Sequence, residues 1–138
     1  MVNKNTLTNR IELVDHHLKR VLPYRRLSKD DFFRDINAQD IVEYNFFQIV
    51  NHLMNIIEHI AVDEDYGLPQ SAYDAAHLLS QKGIFNKRDL DILRKMIGFR
   101  NVVGHDYISL NKDIIYKILT DGHKDIRCVL NKITKRFL

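Results

Sequence analysis

The sequence predicts an all-α fold, an up-and-down bundle of about five to six helices. Three observations support this class. Apolar residues recur at spacings of three and four, no long stretch shows the alternation of a strand, and only five glycines and two prolines interrupt 138 residues. This length suits one domain of ordinary size, and 45% apolar residues supply a core. We therefore expect a single domain over residues 1–138.

The first predicted helix ends where Pro23 turns the chain. Ser28 then has the character of an N-cap, with Asp31 in the capping-box position. A second helical region runs from about Lys29 to Val62, and a break is expected at residues 37–39, where helix formers are weak. The first apolar stripe comprises Leu7, Ile11, Val14, Leu18, Val21 and Leu22.

The second helical region is apolar over much of its circumference. A helix of this kind is buried on more than one side, so it is either central in a bundle or shared with a second subunit. Residues 62–70 lack a period and contain Gly67 and Pro69, which indicates a loop. The wide stripe comprises Val42, Phe46, Phe47, Ile49, Val50, Leu53, Met54, Ile56, Ile57, Ile60 and Ala61.

Three further caps divide the second half of the chain. Ser71, Asn86 and Asn111 each precede a helical pattern, and Gly83 closes the first of these helices. Gly122 is expected to separate a fifth helix from a last one. Cys128 lies among apolar positions of that last helix and is predicted to be a buried small hydrophobe.

Composition excludes several classes of protein. A single cysteine excludes an intramolecular disulfide, and no apolar run approaches the ~20 residues that span a bilayer. Residues 1–10 are polar and lack the apolar stretch of a signal peptide. We therefore expect a cytoplasmic protein without a membrane partner.

Charge is distributed unevenly. Residues 1–69 hold eight Lys/Arg against eleven Asp/Glu, a net of −3, whereas residues 70–138 hold thirteen against seven, a net of +6. A basic half can attract a polyanion, but cations also solvate helix faces, and both interpretations stay open. Lys132, Lys135 and Arg136 are candidate RNA contacts, with a solvated helix face as the simpler explanation.

The histidines of the sequence do not form a complete set of metal ligands with neighbouring acidic residues. His52 and His59 are seven residues apart on one predicted helix face, with Glu58 beside them. The Glu-x-x-His pattern of di-iron bundles and the His-Glu-x-x-His pattern of zinc proteases are both absent. We expect no metal site and no cofactor.

The segment that can support chemistry contains Arg100, His105 and Tyr107 around Gly104. On an uninterrupted helix Arg100 and His105 would lie roughly 140° apart, but Gly104 permits a turn that brings them together. Histidine moves protons near neutral pH, and the arginine fork holds a phosphate. Taken singly, each residue also has a structural explanation as a dipole partner, a cap or a packed ring.

The combination Arg100-Asn-Val-Val-Gly-His105-Asp-Tyr107 resembles the Arg-x4-His-x-Tyr signature of HEPN-domain ribonucleases, above all the HepT-like toxins of HepT/MntA toxin–antitoxin pairs. The likeness covers roughly residues 7–135. Its other segments are Leu27-Ser28, the helix from Val42-Glu43 to Glu58-His-Ile-Ala61, Pro69-x-Ser71-x-Tyr73, Gly83-Ile84 and Leu93-x-x-Met96-Ile-Gly-Phe-Arg-Asn101.

This resemblance implies a HEPN-type bundle that acts as a metal-independent endoribonuclease. The RNA 2′-OH attacks the adjacent phosphate and leaves a 2′,3′-cyclic phosphate. His105 is the implied proton-transfer residue and Arg100 the phosphate-binding one, with Asn101 and Asp106 as orienting residues. The resemblance further implies that an MntA-type nucleotidyltransferase antitoxin transfers AMP to Tyr107.

The family also implies a homodimer whose two motifs face a shared cleft that takes the RNA substrate. The alternative is a non-catalytic HEPN module that binds a nucleotide or a partner nucleotidyltransferase. Retention of Arg100, His105 and Tyr107 favours the enzyme.

Overall fold

A computed structural model describes residues 1–104 and 111–138, and the all-α class is confirmed. Across those two stretches the chain forms no strand. Its elements are α1 (Lys4–Val21), a 3₁₀ helix (Leu22–Arg26), α2 (Lys29–Arg34), α3 (Ile36–Asp63), α4 (Ala72–Gln81), α5 (Lys87–Gly104) and α6 (Lys112–Phe137).

Helix α3 is the centre of the bundle. It has 28 residues, so it is ~42 Å long, and each of the other five helices packs against it. Its apolar stripe is buried on several sides by helices of the same chain. Of the two explanations for this stripe, the central position is therefore the correct one. Helix α1 runs antiparallel to α3, with the Met1 ammonium 2.7 Å from the carbonyl oxygen of Asp63.

The predicted N-caps are confirmed. Ser28, Ser71, Asn86 and Asn111 each accept a hydrogen bond from a backbone N–H in the first turn of their helix, at 3.1, 3.0, 2.9 and 2.8 Å respectively. Gly83 has φ of +78° just after α4, the left-handed conformation that a helix-ending glycine adopts without steric cost. Local sequence chemistry thus determines where most helices start.

The break in the second helical region lies earlier than predicted. It falls at Asp35 instead of residues 37–39, because the Asp35 carboxylate accepts a hydrogen bond from the Ala38 N–H at 3.0 Å. Asp35 has φ −111° and ψ 92°, which stops α2 and starts α3. The cap chemistry of one aspartate overrides the weaker propensity signal two residues later.

The prediction that Gly122 separates two helices is wrong. Helix α6 is continuous through Gly122, and a Cβ atom built there would lie 2.9 Å from Cε1 of Phe46 on α3. The glycine therefore allows α6 to approach α3 closely. In a sequence, a glycine that ends a helix and one that permits close packing look the same.

The burial predicted for Cys128 is also wrong, since this residue is exposed. Its neighbours Val129 and Leu130 are buried, and one residue corresponds to ~100° around a helix. Cys128 therefore lies just outside the buried face of α6. Leu22 is likewise 48% exposed, although it continued the apolar stripe of the first helix.

A buried ion pair joins the start of α5 to the end of α6. The Asp89 side chain is 1% exposed, accepts a hydrogen bond from the Asn86 N–H at 2.8 Å, and pairs with the Lys132 ammonium. Because residue 89 is near the start of α5 and residue 132 near the end of α6, the two helices run antiparallel. The end of α5 and the start of α6 therefore lie at the same end of the bundle.

Two histidines and an asparagine form a polar cluster between α1 and α3. Asn45, 1% exposed, donates from Nδ2 to the carbonyl oxygen of Ile41 at 2.7 Å, which turns its Oδ1 toward Nδ1 of His17 at 2.8 Å. The rings of His17 and His52 are stacked with centroids 5.5 Å apart. Burial, His17 and then the Arg10 guanidinium hold the pKa of His52 below its usual value.

This cluster predicts a pH-dependent stability. A histidine with a lowered pKa in the folded state binds fewer protons than in the unfolded chain, so stability falls as pH drops below the unfolded pKa of about 6.5. We expect the free energy of unfolding, measured by urea titration at several pH values from 7.5 to 5.5, to fall less steeply in His52→Gln than in the wild type. The exposed His77, replaced in the same way, is the control. Parallel pH profiles for all three proteins would contradict this account.

Candidate functional site

Arg100 occupies the last turn of α5, where the helix is anchored by buried apolar side chains. Leu93 is fully buried and Phe99 is 9% exposed. Arg100 follows Phe99 by ~100° around the helix, so it turns away from the core while its stem stays half-buried. The packing of Phe99 thus fixes the direction in which the guanidinium leaves the helix.

The Arg100 guanidinium is not neutralised by a carboxylate in the described parts of the chain. Its Nη2 donates to Oδ1 of Asn101, the next residue, at 3.4 Å. By contrast, Arg94 on the same helix pairs with Asp91. A half-buried arginine whose guanidinium has no carboxylate partner among the described residues is suited to hold a phosphate or another oxyanion.

His105, Asp106 and Tyr107 lie outside the described residues. The structure brings Arg100 and Asn101 together, and the roles predicted for the other three stay predictions. Helix α5 continues to Gly104, so Arg100 and Asn101 are on regular helix immediately before them.

Helix α6 starts beside α2, and both lie at the end of the bundle that carries Arg100. Lys29 on α2 pairs with Asp113 at 2.9 Å, and the Lys112 ammonium donates to the carbonyl oxygen of Phe33 at 3.3 Å. The Tyr116 ring packs against Phe32 with centroids 5.5 Å apart. These contacts fix the start of α6.

An apolar groove separates α5 from α6 beside Arg100, with a volume of about 440 Å³. Phe46 on α3 lies at its base, close to Gly122. Val102 and Ile114 line it while remaining 42% and 49% exposed. Sequence reasoning missed this groove, since the periodicity of each helix does not show that two half-exposed apolar edges face one another.

The other candidate residues are placed elsewhere. His52 stacks on His17, whereas Nε2 of His59 lies 3.0 Å from a carboxylate oxygen of Asp63, so the two histidines have separate partners. Within the described residues, no three His, Cys, Asp or Glu side chains converge as metal ligands. Lys132 forms an ion pair with Asp89. Like Lys135 and Arg136, it lies near the end of α6, at the end of the bundle opposite Arg100.

No helix in the described parts of the chain is long and apolar enough to cross a membrane. The helical bundle and an arginine that has no carboxylate partner among the described residues define a class of small all-α proteins with a cationic group where the antiparallel helices α5 and α6 meet.

Comparison with known proteins identifies the family. The family described as "Ribonuclease HepT-like" matches residues 14–133, and the chain therefore belongs to the HepT-like ribonuclease family, with a HEPN domain. It is 30% identical to the mRNA nuclease HepT of Shewanella oneidensis over 129 residues, which cover 92% of this chain and 95% of that protein.

Solved structures agree with this assignment. A toxin–antitoxin structure with AMP-PNP matches 96% of this chain and 99% of its own, with a TM-score of 0.86 and 27% identity. A tri-AMPylated Shewanella oneidensis HEPN toxin in complex with MNT antitoxin matches 97% and 99%, with a TM-score of 0.86 and 28% identity.

Proposed function

We propose that this protein is a metal-independent endoribonuclease toxin whose site is built on Arg100 and His105. The observation that carries the proposal is the Arg100 guanidinium near the end of α5, which has no carboxylate partner among the described residues and lies five residues before His105 in a HepT-like chain. The similarity to a protein named mRNA nuclease supports RNA as the substrate class.

In the proposed reaction, the 2′-oxygen of one nucleotide attacks the adjacent phosphorus and the bond to the 5′-oxygen breaks. His105 moves the proton, which passes from the 2′-hydroxyl to the departing 5′-oxygen. Arg100 donates to the non-bridging phosphate oxygens as negative charge builds up. The products are a 2′,3′-cyclic phosphate and a free 5′-hydroxyl, and Asn101 and Asp106 orient the two main groups.

We expect Arg100→Ala and His105→Ala each to lower RNA cleavage by about 10²–10⁴-fold, the usual contribution of one such group. Arg100→Lys should restore only part of the activity, since an ammonium lacks the planar fork. Cleavage of a labelled RNA in the presence of EDTA measures both effects, and thermal unfolding shows that the variants are folded.

Arg94→Ala is the matched control, because it removes an exposed arginine of the same helix that pairs with Asp91. Wild-type cleavage by folded Arg100→Ala or His105→Ala would refute the catalytic assignment. The non-catalytic binding module would then be the better description.

We further propose that the antitoxin silences the enzyme by AMP transfer to Tyr107. The similarity to an AMPylated toxin bound to an antitoxin supports this idea. Tyr107 is two residues from His105, so an AMP group there would place an extra phosphodiester and a nucleoside beside the site. The phosphate would compete with RNA for Arg100.

Incubation with ATP, Mg²⁺ and the MntA-type antitoxin should increase the intact mass by one or more AMP increments and abolish cleavage. Tyr107→Phe should keep both its mass and its activity in that mixture, since it lacks the acceptor oxygen. An inactive protein with unchanged mass would instead indicate inhibition by occlusion alone.

We propose that two copies of the chain assemble around the groove between α5 and α6. The exposed Val102 and Ile114 supply apolar surface beside Arg100, so a two-fold contact here would bring two motifs to one cleft.

Light scattering at micromolar concentration should give twice the chain mass for the wild type and a monomer mass for Val102→Glu, because the charge would be buried in the contact. Val62→Glu is the control, since Val62 is similarly exposed, at 48%, near the end of α3. A monomeric wild type, or loss of the dimer in Val62→Glu alone, would overturn this assembly.

A further inference from the structure

A concave basic surface lies at the end of α1. Lys19, Leu22, Pro23, Arg25 and Arg26 line a depression of about 520 Å³, here named the basic concavity. Pro23 occupies the start of the 3₁₀ helix and turns the chain there, so that cations from α1 and from the 3₁₀ helix surround one hollow.

The cations of the basic concavity are unpaired. In the described stretches, Lys29, Arg94, Arg127 and Lys132 each pair with an aspartate, but Lys19, Arg25 and Arg26 form no ion pair. Residues 19–26 hold four cations, Lys19, Arg20, Arg25 and Arg26, which repel one another, and no described carboxylate forms an ion pair with any of them. Lys19 lies in the last turn of α1, where a cation compensates the helix dipole, but Arg25 and Arg26 end a 3₁₀ helix of only five residues, whose dipole is weak. An anion in the hollow would remove the repulsion.

The positive field of the concavity reaches α6. His123 faces Arg25 from the 3₁₀ helix and Arg127 from its own helix, with Asp15 of α1 as the opposing carboxylate. Burial first, then Arg25 and Arg127, lower the pKa of His123, while Asp15 raises it. Asp15 is already paired with Arg127, at 2.6 Å. His123 thus reports on the charge near Arg25.

The concavity lies toward the same end of the bundle as Arg100. Residue 123 is eleven helical rises, or ~17 Å, from the start of α6 at Lys112, the end that also carries the last turn of α5. The chain continues from the concavity directly into α2, which contacts the start of α6 through Lys29 and Phe33, so the concavity and the last turn of α5 lie at the same end of the bundle. The exposed Leu22 and Pro23 give the hollow an apolar wall beside its cations.

We propose that the basic concavity binds the phosphate backbone of single-stranded RNA on one side of the cleaved bond. This inference rests on the proposed ribonuclease function. Adjacent arginine guanidinium groups hold phosphates with good geometry, and the concavity lies at the end of the bundle that also carries Arg100. Phosphate contacts of this kind add affinity and position the strand without reading its sequence.

Binding of a fluorescent 2′-O-methyl RNA oligonucleotide tests the site independently of cleavage, because its blocked 2′-oxygen prevents the reaction. We expect the double variant Arg25→Gln/Arg26→Gln to bind about tenfold more weakly, since each charge contact at ~4 Å in water contributes a factor of about five at most. The dependence of log K on log[salt] should become shallower by about 1.4, at 0.7 per phosphate contact on a single strand.

Lys87→Gln/Arg88→Gln is the matched control. It removes the same charge from exposed residues at the start of α5, the opposite end of the bundle. If both double variants bind the oligonucleotide equally, the concavity is not an RNA site. If Arg25→Gln/Arg26→Gln loses affinity for the antitoxin but not for the oligonucleotide, the surface binds an acidic protein and the proposal is wrong.

Two further measurements separate this proposal from the function itself. With the control variant, the oligonucleotide should raise the pKa of His123 in an NMR titration, and with Arg25→Gln/Arg26→Gln the rise should be absent. Cleavage of a dinucleotide, too short to reach the concavity, should be equal in both variants. Oligonucleotide binding at the concavity by a wild type that cleaves no RNA would refute the ribonuclease and leave the anion site standing.

Discussion

The burial of α3 is the constraint on which the rest of the structure depends. Thirteen of its 28 residues are buried, and nine of these have large apolar side chains. Burying one large apolar side chain stabilises a fold by about 1.5–3 kcal/mol, so leaving this surface in water would cost far more than a typical domain's stability. The other five helices cover it.

Besides these nine large apolar side chains, the buried residues of α3 are Ala38, Gln39, Asn45 and Ala61. The nine are Val42, Phe46, Ile49, Val50, Leu53, Met54, Ile56, Ile57 and Ile60. Because they point to several sides of α3, no single neighbouring helix can cover them, and the bundle closes around these residues, while Tyr44 and Val62 on the same helix stay exposed. The close approach of α6 at Gly122 is one result of this closure.

The buried pair of Asp89 and Lys132 decides which ends of the helices meet. A carboxylate that is 1% exposed requires a partner, and removal of the partner from a buried pair typically costs about 3–5 kcal/mol. An exposed pair such as Arg94 with Asp91 contributes at most about 1 kcal/mol. The buried pair therefore holds the start of α5 against the end of α6, and Arg100 is carried to the opposite end, beside the start of α6.

Ion pairing, more than net charge, distinguishes the cations that stabilise the fold from those that can bind a ligand. The C-terminal half is the basic half by count, yet Lys132 is neutralised by the buried carboxylate of Asp89. The N-terminal half is acidic by count, yet it carries Lys19, Arg25 and Arg26, which are unpaired among the described residues. A count along the chain averages over these differences, whereas the folded structure resolves them residue by residue.

The sequence by itself determined the helical class, most helix starts and the residues of the motif. These features depend on local chemistry, such as the side chains of Ser28, Ser71 and Asn86 that cap their own helices, and on a motif that is contiguous in the chain. Tertiary structure alone decided that Gly122 is a packing position, that Cys128 is exposed, and that the groove and the basic concavity exist. The packing at Gly122, the exposure of Cys128 and the groove depend on which helix faces are brought together by residues far apart in the chain. The concavity depends on how the chain turns at Pro23, and helical periodicity carries no information about either.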